Sequence, residues 1–127
     1  MPNVFICTYR EPDLYQKSMD LLKENGFNVS FLDVPDHGLG LKTPDNIIGQ
    51  LQQAHATMAA GEYYTPELFS QLPNLRVIAR LGVGFDRVDI QSATQNNVVV
   101  TITPNGNHEG VAEHAMALIM TLAKQIV

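Results

Sequence analysis

Short β-rich runs return along the chain at nearly even spacing. They are Val4-Phe5-Ile6-Cys7-Thr8, Asn28-Val29-Ser30-Phe31-Leu32, a weaker stretch from Ala54 to Ala59, Arg76-Val77-Ile78-Ala79-Arg80, and Val98-Val99-Val100-Thr101-Ile102. Their starts fall near residues 4, 28, 55, 76 and 98, in steps of 21 to 27 residues. Each step holds one strand and one crossover helix, the rhythm of a parallel sheet in an α/β domain. The segments between carry helix signals. Leu14, Ser18 or Met19, Leu21 and Leu22 recur at helical spacing between Pro12-Asp13 and Asn25-Gly26. Gly26 suits the left-handed conformation that closes a helix. Thr43-Pro44-Asp45 and Thr65-Pro66-Glu67 each place a capping hydroxyl before a proline at the first helical position. Ile90 to Asn96 reads as a short helix. A last one opens at Asn107-His108-Glu109 and runs through Ala112, Ala115, Leu118, Ile119 and Leu122 without a stop signal. Pro35 to Gly40 reads as a loop.

Composition narrows the function classes. The 127 residues allow one domain, with 45% hydrophobic and 17% charged residues, a globular balance. A net charge of −5, with four Lys or Arg in residues 1–63 and four in 64–127, supplies no basic face for nucleic acid. Cys7 is the single cysteine, so no disulfide framework forms within the chain. The apolar stretch from Ala115 to Ala123 is too short to span a bilayer, and the N-terminus has no signal-peptide pattern, so a cytoplasmic, membrane-free protein is expected.

Two loops beyond predicted strand ends carry unusual composition, where open parallel sheets bind ligands. Leu81-Gly82-Val83-Gly84-Phe85-Asp86 sets two glycines around one residue, which lets a chain turn tightly and present N–H groups to an anion. A dinucleotide fingerprint would need a third glycine at position 87, where Arg87 stands. Arg80 can pair with Asp86 across this loop or attract an anionic ligand; the sequence leaves both open. The second loop is Thr103-Pro104-Asn105-Gly106-Asn107-His108-Glu109, in which Asn105-Gly106 is a turn signal and Asn107 is typed as a helix N-cap. His108 and His114 are six residues apart and point away from each other on a helix, so no metal site is expected. His37 and His55 read as ordinary residues, and Cys7 as a small buried hydrophobe.

From Leu72 to Ile126 the chain closely resembles the D-isomer-specific 2-hydroxyacid dehydrogenases, above all their phosphoglycerate dehydrogenase branch. The resemblance rests on Leu75 to Asp86, Val88-Asp89, Val98 to Thr101, Thr103 to Asn107, Val111-Ala112-Glu113-His114 and Leu122-Ala123. It implies a flavodoxin-like three-layer domain with a five-stranded parallel sheet in the order 2-1-3-4-5. Residues 1–107 would form this substrate-binding domain, and 108–127 would begin the crossover helix to an NAD-binding domain missing from the sequence.

The resemblance also implies roles. Gly61, Leu81, Gly82, Val83, Gly84 and Asn105 are the expected substrate-binding residues. Val83, Asn107 and His108 are the expected cofactor contacts, with NAD, or NADP, held mainly by the missing domain. No catalytic residue of the family falls in this chain. It is therefore expected to be an excised part of a larger homodimeric oxidoreductase acting on small 2-hydroxy and 2-oxo acids, inactive alone. Ala59-Ala60-Gly61-Glu62 stands where phosphoglycerate members tend to carry a basic residue, which weakens the expectation of a phosphorylated substrate. The alternative is a non-catalytic small-molecule-binding or regulatory module of the same fold.

Overall fold

The computed structural model describes residues 1–7, 12–32 and 45–126. Thr8 to Arg10, the loop at 35–40 with His37, and the Thr43-Pro44 helix opening lie outside the described residues. Five strands, β1 (Asn3–Cys7), β2 (Asn28–Phe31), β3 (Ala56–Ala59), β4 (Val77–Arg80) and β5 (Val99–Thr101), form one sheet in the order β2-β1-β3-β4-β5. Every pairing is parallel. The helices are α1 (Pro12–Glu24), α2 (Asp45–Leu51), α3 (Pro66–Phe69), α4 (Ile90–Gln95) and α5 (His108–Lys124). The expected architecture and strand order are those observed.

Period-two alternation divides the strands between two faces. The register sets Phe5 beside Thr57, Thr57 beside Ile78 and Ile78 beside Val100, with Cys7, Ala59 and Arg80 one step further along the same face. This face meets Ile47, Ile48 and Leu51 of α2, Leu68 and Phe69 of α3 and Ala93 of α4 in one core cluster. Thr57 is polar and buried there, and the Tyr64 hydroxyl donates to its Oγ1 at 2.9 Å. On the opposite face Val4 and Ile6 are buried, whereas Met58, Val77 and Ala79 are only partly covered and Val99 is exposed.

Local signals account for the helix ends. Thr65 accepts from the Leu68 N–H at 3.3 Å, with Pro66 at the first helical position. Gly26, with φ of +83°, ends the turn after α1 as expected. The reading of the last helix needs correction. Gln125 adopts φ of +53° and closes α5 with paired bonds, its own N–H to the Leu122 carbonyl and that of Ile126 to Thr121. This is a Schellman closure built on a residue other than the usual glycine, so composition did not announce it. No residue of α5 is buried, and Val111, Leu118, Ile119 and Leu122 lie exposed along it.

The Tyr64–Thr57 bond gives a stability prediction. Replacing Tyr64 by Phe leaves the buried Thr57 hydroxyl without its partner and should lower unfolding free energy by about 1–3 kcal/mol. Leu14→Ala, at an exposed helical position, should change it by less than about 0.5 kcal/mol. Urea denaturation of both variants checks the difference.

Candidate functional site

Because all five strands run the same way, the connections after β3, β4 and β5 emerge at one edge of the sheet. The β3–α3 connection holds Ala60, Gly61 and Glu62; the β4–α4 connection holds the glycine loop; the β5–α5 connection holds Thr103 to Asn107. Hydrogen bonds join them in sequence. The Leu81 N–H donates to the Ala59 carbonyl at 2.9 Å, and the Thr103 N–H donates to the Gly82 carbonyl at 3.0 Å. A parallel bridge between Tyr64 and Val88 extends the pairing, with Tyr64 N–H to Arg87 O at 2.8 Å and Asp89 N–H to Tyr64 O at 2.9 Å.

The glycine loop differs from its sequence-level rationale. Neither Gly82 nor Gly84 has a positive φ, so the turn itself does not require glycine. A Cβ on Gly82 would meet nothing within 4 Å, and one on Gly84 would lie 3.1 Å from Asp86 Oδ1. Side chains are therefore excluded by no crowding from the fold at Gly82. The N–H groups of Gly82, Val83 and Gly84 have no acceptor among the described residues. Leu81, Val83 and Gly84 are exposed and Gly82 is half-buried.

Among the described residues no ion pair joins Arg80 to Asp86. Arg80 is buried, and its guanidinium donates to backbone carbonyls: Nε to Gly84 at 3.1 Å, Nη1 to Ala59 at 3.5 Å and Nη1 to Ala60. Arg87 reaches the β3–α3 connection as well. Its Nη1 donates to the Gly61 carbonyl at 2.6 Å, and its guanidinium lies 4.6 Å from the Tyr63 ring centroid. Residues 59–62 themselves carry no basic side chain; the cation beside them, Arg87, comes from the next connection. Arg80 was legible in one respect. It stands in phase with the buried Ile78 on β4, and a charged residue on a core-facing position needs buried acceptors.

Glu62, also unassigned by the sequence reading, is buried and accepts from the Ala60 N–H at 2.9 Å. Burial pushes its carboxyl above the ordinary glutamate range, against the opposing pull of its backbone bonds and of Arg80 and Arg87. Burial likewise raises the Cys7 thiol well above its usual value, which suits the inert packing role expected for it.

At the third connection, Asn105 and Asn107 are exposed, and no hydrogen bond joins Asn105, Asn107 or His108 to the glycine loop among the described residues. His108 Nδ1 lies 3.1 Å from the Asn105 carbonyl; a carbonyl only accepts, so this bond requires the proton on Nδ1. Asn107 occupies the N-cap position of α5, but its side chain makes no capping bond. Its ψ of 12° differs from the extended 164° of the working cap Thr65. The expectation of a side-chain cap is corrected on that ground. Among the described residues no group of three or more His, Cys, Asp or Glu could hold a metal, and no helix is long and apolar enough to cross a membrane.

The geometry matches a known class of domain. Residues 4–125 match the model of the D-isomer specific 2-hydroxyacid dehydrogenase catalytic domain, and the chain belongs to that family. Among curated relatives, it is 45% identical over 112 residues to D-3-phosphoglycerate dehydrogenase of Archaeoglobus fulgidus, covering 87% of this chain and 20% of that one. It is 28% identical over 129 residues to glyoxylate/hydroxypyruvate reductase B of Yersinia pestis, covering 99% and 36%. Among solved structures, the NAD+-bound 3-phosphoglycerate dehydrogenase of Entamoeba histolytica shares the fold with a TM-score of 0.81 at 20% identity, over 94% of this chain and 38% of that one. D-lactate dehydrogenase of Aquifex aeolicus, complexed with NAD and lactic acid, aligns with a TM-score of 0.74 at 26% identity, covering 98% and 34%. The chain spans less than two fifths of the length of each of these four relatives.

The start of α4 does not fit the seating of a dinucleotide pyrophosphate. The helix after the glycine loop already has an anion at its start, since Asp89 Oδ1 accepts from the Ser92 N–H at 2.7 Å. That bond holds the Asp89 carboxyl below its usual range. A phosphate there would face a carboxylate instead of free N–H groups.

Glu62 makes the pH dependence of stability testable. Its pKa is raised on folding, so the native state holds the proton more tightly than the unfolded state. The stabilisation is complete below the unfolded pKa and declines as pH rises toward the folded one. Wild-type stability should therefore carry a downward contribution just above the ordinary carboxylate range. Glu62→Gln should remove that contribution, seen as a flatter profile in denaturation series across pH.

Proposed function

We propose that this chain is the substrate-binding domain of an NAD-dependent dehydrogenase that interconverts D-2-hydroxy acids and 2-oxo acids. The observation that carries the reading is the run of N–H groups at Gly82, Val83 and Gly84 with no acceptor among the described residues, on a loop anchored at both sides and open above. Backbone N–H groups held in this way match a carboxylate, the group every 2-hydroxy acid shares. Gly61, Leu81 and Asn105 line the same edge in this reading. Val83, Asn107 and His108 form the rim toward NAD, or NADP.

This chain's share of the reaction is to bind the acid by its carboxylate and orient C2. Seating of the dinucleotide and proton transfer belong to a separate NAD-binding domain, with a homodimer as the working form. A cytoplasmic setting agrees with the single cysteine, which leaves no disulfide within the chain. With Arg87 against Gly61, an acid bearing a second anionic group is no longer disfavoured at this loop.

The test uses the full-length gene product with glyoxylate, hydroxypyruvate and NADH. Gly82→Ala places a methyl group in the open space where the carboxylate would sit, with no clash inside the fold. Its KM for the oxo acid should rise about 10–100-fold, the equivalent of losing one charge-assisted hydrogen bond. The melting temperature should be unchanged. Unaltered kinetic constants would reduce the loop to a connection between strand and helix.

A further inference from the structure

We infer that Arg80 is a positioning residue whose guanidinium locks the β3–α3 connection and the glycine loop into a single wall. That this wall faces substrate rests on the proposed function; the lock itself does not.

The argument begins with register. Arg80 is the last residue of β4 and pairs with Ala59, the last of β3, so its side chain starts between the two connections. It projects on the core face and is 9% exposed. From there Nε reaches the Gly84 carbonyl, at the far side of the glycine loop, while Nη1 reaches the carbonyls of Ala59 and Ala60. One rigid, permanently charged group thus holds carbonyls of both connections at once. A lysine has a single compact charge and cannot reproduce the spacing of Nε and Nη1.

The consequence for the N–H groups follows from peptide planarity. The carbonyl of one residue and the N–H of the next point in opposite directions across a trans peptide. Drawing the Ala60 carbonyl inward onto Arg80 turns the Gly61 N–H outward. The Thr103 bond to the Gly82 carbonyl does the same for the Val83 N–H. The loop is thus pinned at Leu81 N–H by Ala59, at Gly82 O by Thr103 and at Gly84 O by Arg80. Between these pins its N–H groups cannot turn away together. Glu62, buried on the Ala60 N–H, lies close enough to the buried guanidinium for the two to interact electrostatically. Charge burial of this kind contributes little net stability, so loop geometry is the property to measure.

The experiment is amide hydrogen exchange on the full-length protein, with Arg80→Lys and Arg80→Gln, alongside steady-state kinetics. The Leu81, Thr103 and Ala60 amides report the wall, and those of Asn28 and Val98, bonded to Pro2 and Ala93, report the remote fold. Exchange at the three wall amides should accelerate about tenfold or more in both variants, with the remote amides within about twofold, as expected for losing one charge-assisted bond locally. KM for the 2-oxo acid should rise about tenfold while KM for NADH holds. An even rise at all five amides, or none at the wall, would overturn the lock. A loosened wall with an unmoved oxo-acid KM would overturn its role in substrate positioning. If wild-type protein reduces no 2-oxo acid, the proposed function fails while the exchange result still decides the lock. Should both Arg80 variants fail to fold, Glu62→Gln decides through the Leu81 amide, which is not bonded to Glu62: its exchange should rise about threefold, and no rise overturns the inference.

Discussion

Parallel pairing of β3 with β4, in the register that sets Ala59 beside Arg80, is the constraint from which the site follows. Parallel strands deliver their following connections to the same edge, so the segments after β3, β4 and β5 become neighbours although the first and last are more than 40 residues apart in sequence. The same register aims Arg80 into the space between two connections. A slip of one residue would turn the guanidinium to the half-covered face and leave the carbonyls of Ala60 and Gly84 without their donor.

Charge at this edge is arranged differently from charge on the whole chain. The sequence carries a net charge of −5, yet the two connections are held by Arg80 and Arg87. Both cations spend donors on backbone carbonyls, and the buried carboxyl of Glu62 takes a backbone N–H. The side chains act on the main chain, and the main chain of the glycine loop is left to face outward. Under the proposed function, anion recognition here would draw on backbone dipoles, which cannot titrate and need little reorganisation.

The two faces of the molecule also differ in how far they are covered. The α2–α3–α4 side packs into one buried cluster, whereas the other side meets α1 and leaves Val99 of β5 exposed. Helix α5 departs from the sheet with its apolar residues in solvent. These features agree with membership of a family in which the relatives named above are each more than twice as long as this chain.

The sequence by itself determined the element order, the parallel α/β class and, through the resemblance, the strand order. These are legible because strand and helix periodicities and the Thr65 and Gly26 signals are local. It also pointed to Gly82, Val83 and Gly84, since glycines so placed are conspicuous in any composition. Only the tertiary structure decided why they matter. Gly82 and Gly84 have no positive φ, and what distinguishes the loop is the open space above Gly82 and N–H groups without an acceptor among the described residues. The lock by Arg80, the cation that Arg87 brings to Gly61, the buried Glu62 and the idle side chain of Asn107 depend on which carbonyls and amides come within hydrogen-bond distance once the strands are paired. Two of these contacts join residues 20 or more apart in sequence, Arg80 with Ala60 and Arg87 with Gly61. No local pattern encodes them, because hydrogen-bond geometry exists only after the chain has closed on itself.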